Sequence, residues 1–338
     1  MGIDLVRRTM SNVRRTPHLR SGVRPALAGL ATAAMVLAAC GDDGGERSTP
    51  TTLVDGKPLV VVTYSILGDV VSQLVGDAAT VQVIIPNGQD PHDYAPSAQD
   101  VELMRGAALV VANGLDLEEG MEDAIHGIED DNIPVFFATD HVTLRELGEG
   151  EKAEDDHGHE DDHGHDHGSE DPHIWTDPLV MKEMAPALAT ELETRLGVQL
   201  DDRLAAVEAA MDAADAEVRE VMAAIPAGEC RLVTGHESLG YFADRYGCEL
   251  IGAVIPSLSS TAEATAKDLA ELTEVAQGAG VRAIFTELGT PSAVADQVAE
   301  AVGVPVIELP THNLPGDGGY AGFVVEIATL ITGGLTAA

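Results

Sequence analysis

Short apolar runs alternate with longer amphipathic segments along most of the chain, and the alternation falls into two blocks. In the first block the runs predict strands at 59–63, 80–85, 107–112 and 133–138. In the second block they predict strands at 230–234, 249–254, 281–286 and 304–309. The segments between and after them predict helices at 66–76, 97–105, 117–128, 237–247, 262–279, 291–302 and 321–333. Strand–helix alternation is typical of a parallel sheet flanked by helices, so we predict an α/β protein with two similar lobes.

Two predicted helices with no strand between them separate the blocks. The first spans 178 to about 197, and the second spans 201–225 and contains no glycine or proline. At 1.5 Å per residue the second helix would be about 37 Å long, which is long for a globular protein. We interpret it as a spine that joins the lobes. The predicted boundaries are 57–177 for the N-terminal lobe, 178–226 for the linking helices and 227–338 for the C-terminal lobe.

The first 56 residues have the pattern of an export signal followed by a tether. Six arginines precede an apolar run at 25–39, which is too short to span a bilayer. The run ends Leu37-Ala38-Ala39-Cys40, which resembles a lipobox, so we predict a signal peptide at 1–39 and a lipid on Cys40. The alternative is a buried cysteine at the end of an ordinary helix. The composition of residues 40–56 predicts a flexible tether to the outer face of a bacterial cell membrane.

The charge balance narrows the range of partners. The 338 residues include 57 acidic and 19 basic residues, and the formal net charge is −38. Binding to nucleic acid requires a basic face, so this composition argues against nucleic acid as a partner. An acidic surface attracts cations, but it does not by itself make a metal site. A metal site must therefore be sought in particular side chains.

Five of the 12 histidines lie in one acidic, glycine-rich segment at 149–170. They are His157, His159, His163, His165 and His167, and only glycine, aspartate and glutamate separate them. The segment has few apolar residues, so we predict a disordered loop. Ordering such a chain around an ion costs entropy, so the loop should bind metal more weakly than a folded site does. The two interpretations are an auxiliary metal collector and a solvated, dispensable loop.

Four other histidines lie where predicted strands and helices give way to loops: His92, His173, His236 and His312. Ligand sites in open α/β sheets form at the carboxyl ends of strands. Neutral imidazole is a good zinc ligand, and zinc favours four-coordinate sites. A single histidine at such a place is more often a hydrogen-bonded loop residue, but four in matching places predict a metal site. Two ligands from each half would place the ion in a cleft between the lobes.

Two cysteines remain beyond Cys40, and each stands at the start of an apolar run. Cys230 begins the run at 230–234, and Cys248 directly precedes the run at 249–254. An oxidising compartment permits a disulfide, and neighbouring parallel strands would place the two starts side by side. The alternatives are a Cys230–Cys248 disulfide and two separate buried thiols.

Several longer phrases resemble a known family. They are DPHDYAPS at 90–97, NGLDLE at 113–118, DPHIWTDP at 171–178, VTGHESLGYF at 233–242 and FTE at 285–287. Together they resemble the metal-binding subunits of bacterial zinc or manganese ABC importers, the cluster A-I solute-binding proteins. The resemblance extends from Val60 to about Ile331. A histidine-rich acidic insert before the second DPH phrase is typical of the zinc members.

The resemblance implies two lobes joined by a rigid helix, with little lobe closure and a metal ion between them. It carries ligand roles onto His92, His173 and His236. The family usually supplies an aspartate as the fourth ligand, whereas His312 stands at that place here, with Asp317 and Glu308 as alternatives. An all-histidine set favours Zn²⁺ over Mn²⁺, because manganese prefers carboxylate oxygens.

The resulting expectation is a monomeric, lipid-anchored receptor outside the cytoplasm that passes Zn²⁺ to an ABC permease and its ATPase, without enzymatic activity. Alternatives within the same fold are a manganese receptor and a metal-dependent surface adhesin. An alternative from another class is a secreted zinc hydrolase, with Glu237 or Glu287 as its general base. A catalytic zinc needs an open coordination position, which four protein ligands would close.

Overall fold

The computed structural model of the protein describes residues 52–148, 170–316 and 318–337. Several features predicted from the sequence lie outside these ranges: the signal peptide, Cys40 with most of the tether, nearly all of the loop at 149–170 with its five histidines, and Asp317. Within the described ranges the two blocks of the sequence form two α/β lobes, and two helices run between them.

The sheet of the N-terminal lobe has five strands: β1 (Leu53–Val54), β2 (Lys57–Tyr64), β3 (Thr80–Ile85), β4 (Leu109–Ala112) and β5 (Val135–Phe137). β2 lies between β3 and β4, β5 pairs with β4, and these four strands run parallel. Leu59 to Val62 are all fully buried, which requires that both faces of β2 be covered. β1 pairs antiparallel with the start of β2, so the tether predicted at 40–56 extends too far, because its last residues belong to the sheet.

In the described part of this lobe the α-helices are α1 (Ser65–Val75), α2 (Ala98–Arg105) and α3 (Glu122–Asp130). Ser97 and Asp100 form a capping box, in which each side chain accepts a hydrogen bond from the other residue's backbone N–H. α3 begins later than the helix predicted at 117–128, because Leu115 and Asp116 have positive φ angles and a 3₁₀ turn follows at Glu119–Met121. That turn carries Glu119 to the candidate site.

The two linking helices are α4 (Pro178–Leu196) and α5 (Asp201–Met222). The Asp177 side chain caps α4 by accepting a backbone hydrogen bond from its first turn, and Gly197 ends the helix in a left-handed conformation. The buried positions of α5 repeat every three or four residues: Val207, Met211, Ala214, Val218 and Met222. α5 therefore presents one apolar stripe to its neighbours.

Among the residues that the structure describes, the C-terminal lobe has four strands and four helices. The strands are β6 (Arg231–Thr234), β7 (Glu249–Ala253), β8 (Ile284–Thr286) and β9 (Val306–Glu308). The helices are α6 (Gly240–Tyr246), α7 (Ala266–Ala279), α8 (Ser292–Val302) and α9 (Gly319–Thr336). The strands pair in parallel as β6–β7 and β8–β9, and β6 lies beside β8. The carboxyl ends of β6 and β7 therefore lie at the same edge of their pair, as do those of β8 and β9.

α6 is shorter than the helix predicted at 237–247, because the residues before it form a turn with distant partners. Glu237 N donates to Ser257 O at 2.9 Å, and Ser238 Oγ donates to Glu287 Oε1 at 3.1 Å. These bonds replace the first helical turn. They hold the chain around His236 in place for the site.

α9 connects the end of the chain to both lobes. By length and composition alone it could cross a membrane, and it is the one helix of the described ranges that meets this test. It packs against α5 and contacts α1, with Tyr320, Phe323, Ile327 and Ile331 buried. Its apolar character therefore serves packing in a folded core. α5, between α1 and α9, touches both lobes.

Cys230 and Cys248 form a disulfide that joins the starts of β6 and β7. Their Cα atoms are 4.6 Å apart, which is within the usual range for this bond. Glu249 N donates to Cys230 O at 2.8 Å directly beside it. The bond closes a loop that contains His236 and α6.

Candidate metal centre

Three histidine side chains meet at the seam between the lobes. Nε2 of His173 is 3.3 Å from Nε2 of His92 and 3.1 Å from Nε2 of His236. The ligand atoms of the three residues all lie within 4.8 Å of one another, and all three residues are buried. A tetrahedral zinc ion with Zn–N bonds of about 2.0–2.1 Å would hold its nitrogen ligands about 3.3 Å apart. The two distances from His173 Nε2 therefore match the ligand spacing of a tetrahedral zinc site.

A short aspartate-capped turn directs each of the two DPH histidines. His92 lies in the loop after β3, and its backbone N–H donates to Asp90 Oδ1 at 3.0 Å. His173 precedes a 3₁₀ turn, and its backbone N–H donates to Asp171 Oδ1 at 2.9 Å. Aspartate side chains commonly bond their own backbone two residues on in this way. His236 instead follows β6 directly, so three different local structures supply the triad.

A carboxylate faces the Nδ1 atom of each triad ring. Asp171 Oδ1 lies 2.8 Å from His173 Nδ1, and Glu287 Oε1 lies 2.5 Å from His236 Nδ1. Glu119 Oε1 lies 3.3 Å from His92 Nδ1, at ion-pair distance but without hydrogen-bond alignment. A carboxylate at Nδ1 holds the proton there, orients the ring and leaves the Nε2 lone pair for a metal.

Burial and neighbouring charges shift the pKa values of His173 and His236 in opposite directions. The pKa of His173 lies well below its usual value, because the ring is fully buried and three other histidines surround it. Burial also opposes charge on His236, but the adjacent Glu287 carboxylate, together with Asp90 and Asp171, raises the pKa of His236 on balance. His173 is therefore neutral at neutral pH, whereas a metal would have to compete with a proton at His236.

His312 lies beside the triad rather than within it. Its ring centre is 6.5 Å from that of His236 and 5.8 Å from that of Trp175. The residue is buried, and its Nε2 has no hydrogen-bond partner among the described residues. Burial lowers the pKa of His312 to about 3, although the Asp90 carboxylate opposes the shift. His312 is thus a neutral nitrogen donor next to the triad, but it is not within 4.8 Å of all three members.

The remaining candidates from the sequence lie elsewhere. Glu308 is exposed at the end of β9 and lines a separate cavity with Leu309 and Asn313. Asp317 lies outside the described residues. His126 on α3 and His141 are both exposed, and neither belongs to the triad.

The single tryptophan packs beneath the histidines. The ring centre of Trp175 is 5.2 Å from that of His173 and 5.3 Å from that of Tyr64. Its Nε1 donates to Thr311 O at 3.0 Å, and Tyr320 Oη donates to Trp175 O at 3.0 Å. Trp175 therefore ties segments of the C-terminal lobe to the DPH phrase that carries His173.

Three polar residues near His92 were not found from the sequence: Glu119, Ser260 and Thr261. Glu119 belongs to the 3₁₀ turn before α3, and the two hydroxyl residues follow β7. No spacing pattern in the sequence connects any of them with His92. The aspartates of the DPH phrases did carry a signal, because an aspartate two residues before a histidine occurs at both places.

Two α/β lobes with a buried, carboxylate-supported histidine cluster at their seam are the architecture of a two-lobed solute-binding protein with a candidate metal site. The chain belongs to the family described as zinc-uptake complex component A, periplasmic, whose profile matches residues 60–334. Members of this family are metal-binding periplasmic receptors of ABC importers. The family resemblance inferred from the DPH and GHES phrases is confirmed.

The relatives of the chain are named for three different metals. Zinc-binding protein TroA of Treponema pallidum is 29% identical over 254 residues, which cover 73% of this chain and 76% of TroA. Manganese-binding lipoprotein MntA of Halalkalibacterium halodurans is 26% identical and covers 81% of this chain, with 84% of MntA matched. The iron ABC transporter substrate-binding lipoprotein MtsA of Streptococcus pyogenes is 27% identical, over 85% of this chain and 90% of MtsA.

Solved structures confirm the fold. The periplasmic zinc-binding protein TroA from Treponema pallidum superimposes with a TM-score of 0.69 at 26% identity. The match covers 83% of this chain and 100% of that chain. The predicted α/β architecture with two lobes is therefore correct.

Proposed function

We propose that the protein is an extracytoplasmic receptor that binds one Zn²⁺ between its lobes and delivers it to an ABC permease and its ATPase. The observation that carries this proposal is the buried histidine triad, in which both distances from His173 Nε2 match zinc-ligand spacing and a carboxylate faces each Nδ1. Neutral nitrogen donors favour zinc, whereas manganese prefers carboxylate oxygens. Because the relatives are named for zinc, manganese and iron, the choice of zinc rests on this donor set.

We propose His312 as the fourth ligand. Its Nε2 is buried without a hydrogen-bond partner in the described chain, and a buried polar atom of this kind costs free energy unless a ligand satisfies it. Its ring lies beside His236, so a small rotation or loop shift would bring Nε2 toward the triad. Four nitrogen ligands would close the coordination shell, as in a site built to hold an ion rather than to activate water.

The proposal assigns no enzymatic activity. Glu287, one candidate base of a zinc hydrolase, already accepts hydrogen bonds from the backbone and ring of His236 and from Ser238. Residues 159–163 have the sequence HEDDH, which satisfies the HExxH spacing of zinc proteases. That motif works on a helix, and its glycine- and aspartate-rich surroundings predict no helix.

We further propose that a lipid on Cys40 holds the receptor, as a monomer, at the outer face of the cell membrane. MntA and MtsA, both named as lipoproteins, support this location. The loop histidines would bind metal as auxiliary sites, with lower affinity than the main site. Their spacing on a glycine-rich segment supports low affinity, because ordering the segment costs entropy.

One tight zinc per chain is the expected result of a calorimetric titration of the full chain, with additional weak sites from the loop. A variant that lacks 154–168 should keep the tight site and lose the weak ones, because the triad contains no residue of that segment. Loss of the tight site in the deletion would make the loop part of the primary site. Absence of a tight site from both proteins would refute the receptor proposal.

Replacing His312 with aspartate should shift selectivity toward manganese. The substitution introduces the carboxylate oxygen that Mn²⁺ prefers, so the affinity for Mn²⁺ relative to Zn²⁺ should rise by about tenfold or more. The matched control is His312→Asn, which removes the imidazole without adding a charge. Competition titrations with both metals would measure the ratio. Equal ratios in the two variants would place His312 outside the coordination shell.

A further inference from the structure

Asp90 divides its two carboxylate oxygens between His92 and the opposite lobe. Oδ1 accepts the backbone N–H of His92 at 3.0 Å. Oδ2 accepts the hydroxyl of Ser260 at 2.6 Å, and Ser260 belongs to the C-terminal lobe, 170 positions further along the chain. One side chain therefore ties the loop that carries His92 to the facing lobe.

Glu119 repeats this arrangement at the ring of the same histidine. Its Oε1 lies 3.3 Å from His92 Nδ1, and its Oε2 accepts the hydroxyl of Thr261 at 3.2 Å. Both carboxylates thus use one oxygen for His92 and the other for a hydroxyl across the seam. The two hydroxyls are adjacent in sequence, so a single segment serves both carboxylates.

The segment at 257–261, which we call the serine segment, is held rigidly by its own hydroxyls. Ser259 N donates to Ser257 Oγ at 3.1 Å, and Thr261 N donates to Ser259 Oγ at 3.1 Å. Ser257 O accepts the backbone N–H of Glu237 at 2.9 Å, next to the ligand His236. The serine segment is therefore fixed to the C-terminal lobe and moves with it.

Gly289 allows this contact to form. It has a φ of 89°, in the left-handed region, and a Cβ built there would lie 2.7 Å from Ser260 Cβ and would collide with Asp90 Oδ2. A larger residue would push the serine segment and Asp90 apart. Three separate parts of the chain meet closely at this point of the seam.

We propose that Ser260 and Thr261 are positioning residues for His92, acting across the seam through Asp90 and Glu119, and that they set how long the site retains zinc. The inference rests on the proposed function of the triad. The carboxylate at Nδ1 of His173 is Asp171, from the same DPH phrase. The carboxylate at Nδ1 of His236 is Glu287, from the same lobe. His92 is the ligand whose support depends on lobe docking.

This arrangement provides a route for release. If a docked permease separated the lobes slightly at the serine segment, both hydroxyl contacts would be lost together. The carboxylates would no longer be fixed at their far oxygens, and His92 would gain freedom to leave the ion. Loss of one ligand lowers the affinity of the site, so the ion could pass on while His173 and His236 keep their places.

The first test is the double variant Ser260→Ala/Thr261→Val in the full chain, loaded with one zinc. Its rate of zinc dissociation into excess chelator should rise about 10–100-fold, the usual effect of losing outer support of a metal ligand. Gly289→Ala should change the rate in the same direction. As control, Asp69→Ala removes an interlobe hydrogen bond to Tyr320 N that touches no histidine, and its rate should change less than about twofold.

The second test is a double-mutant cycle with His92→Ala. In that background the Ser260→Ala/Thr261→Val change should alter the rate of zinc dissociation by less than about twofold, because its effect passes through His92. An undiminished effect would overturn the inference and assign the serine segment to lobe docking in general. The wild type could bind zinc tightly through His92 while the Ser260→Ala/Thr261→Val variant releases zinc at the wild-type rate. That result would overturn this inference but leave the proposed function intact. No tight zinc in the wild type would overturn the proposed function as well.

Discussion

Replacing His173 with alanine should lower the affinity for Zn²⁺ by about 10²–10³-fold. His173 is the central member of the triad, since its Nε2 is 3.3 Å from that of His92 and 3.1 Å from that of His236. Closed zinc sites have apparent binding free energies of about 10–16 kcal/mol, so one of four ligands accounts for about 3–4 kcal/mol. Competition with a chelator of known affinity would measure the loss.

The matched control is His126→Ala, which removes an exposed imidazole from α3 and should leave zinc affinity unchanged. Because His173 is fully buried, circular dichroism and thermal unfolding of the metal-free variant should first show that the fold is kept. Asp171→Asn is a second, milder variant that retains the ring and removes the charge at its Nδ1, with an expected loss of about 10–100-fold. Wild-type affinity in His173→Ala would exclude the triad as the zinc site.

Removing the disulfide should lower the free energy of unfolding of the metal-free protein by about 3 kcal/mol. The bond joins Cys230 to Cys248, 18 positions apart, and closes a loop that restricts the unfolded chain. Replacing both cysteines with alanine releases the loop and increases the conformational entropy of the unfolded state. Urea denaturation of the wild type and of the double variant, both without zinc, would measure the difference.

Reductant provides the internal control for this prediction. It should reproduce the loss of stability in the wild type and have no effect on the double alanine variant. Zinc affinity should change much less than stability, because Glu287 and β6 hold His236 independently of the disulfide. Wild-type stability that reductant does not change would show that the two thiols are unpaired.

Local patterns in the sequence determined most of the secondary structure. The continuous apolar run at 59–63 became the buried strand β2, and the alternating run at 80–85 became β3 with the same bounds. The helix predicted at 97–105 became α2, which begins directly after the Ser97 of a capping box. Such signals can be recognised in a sequence because residues that are close together along the chain produce them.

The histidines at the site were also recognisable from the sequence, because each ends a strand or stands in a DPH or GHES phrase. Next to His236, however, tertiary contacts replace the helix that the local pattern predicts. The helix predicted from 237 begins only at Gly240, since Glu237 and Ser238 bond to Ser257 and Glu287 instead. Amphipathic periodicity alone could not show that these distant partners would be available.

Only the tertiary structure decided which polar groups support the histidines. Glu287 meets His236 from 51 positions away, and Ser260 meets Asp90 from 170 positions away. These pairs depend on how two separately formed lobes pack at their seam. That packing is the sum of many weak contacts spread over both lobes and α5, and it leaves no periodicity or short motif in the chain. The sequence by itself therefore determined most of the elements and the candidate ligand histidines, and the packing of the lobes determined which groups surround them.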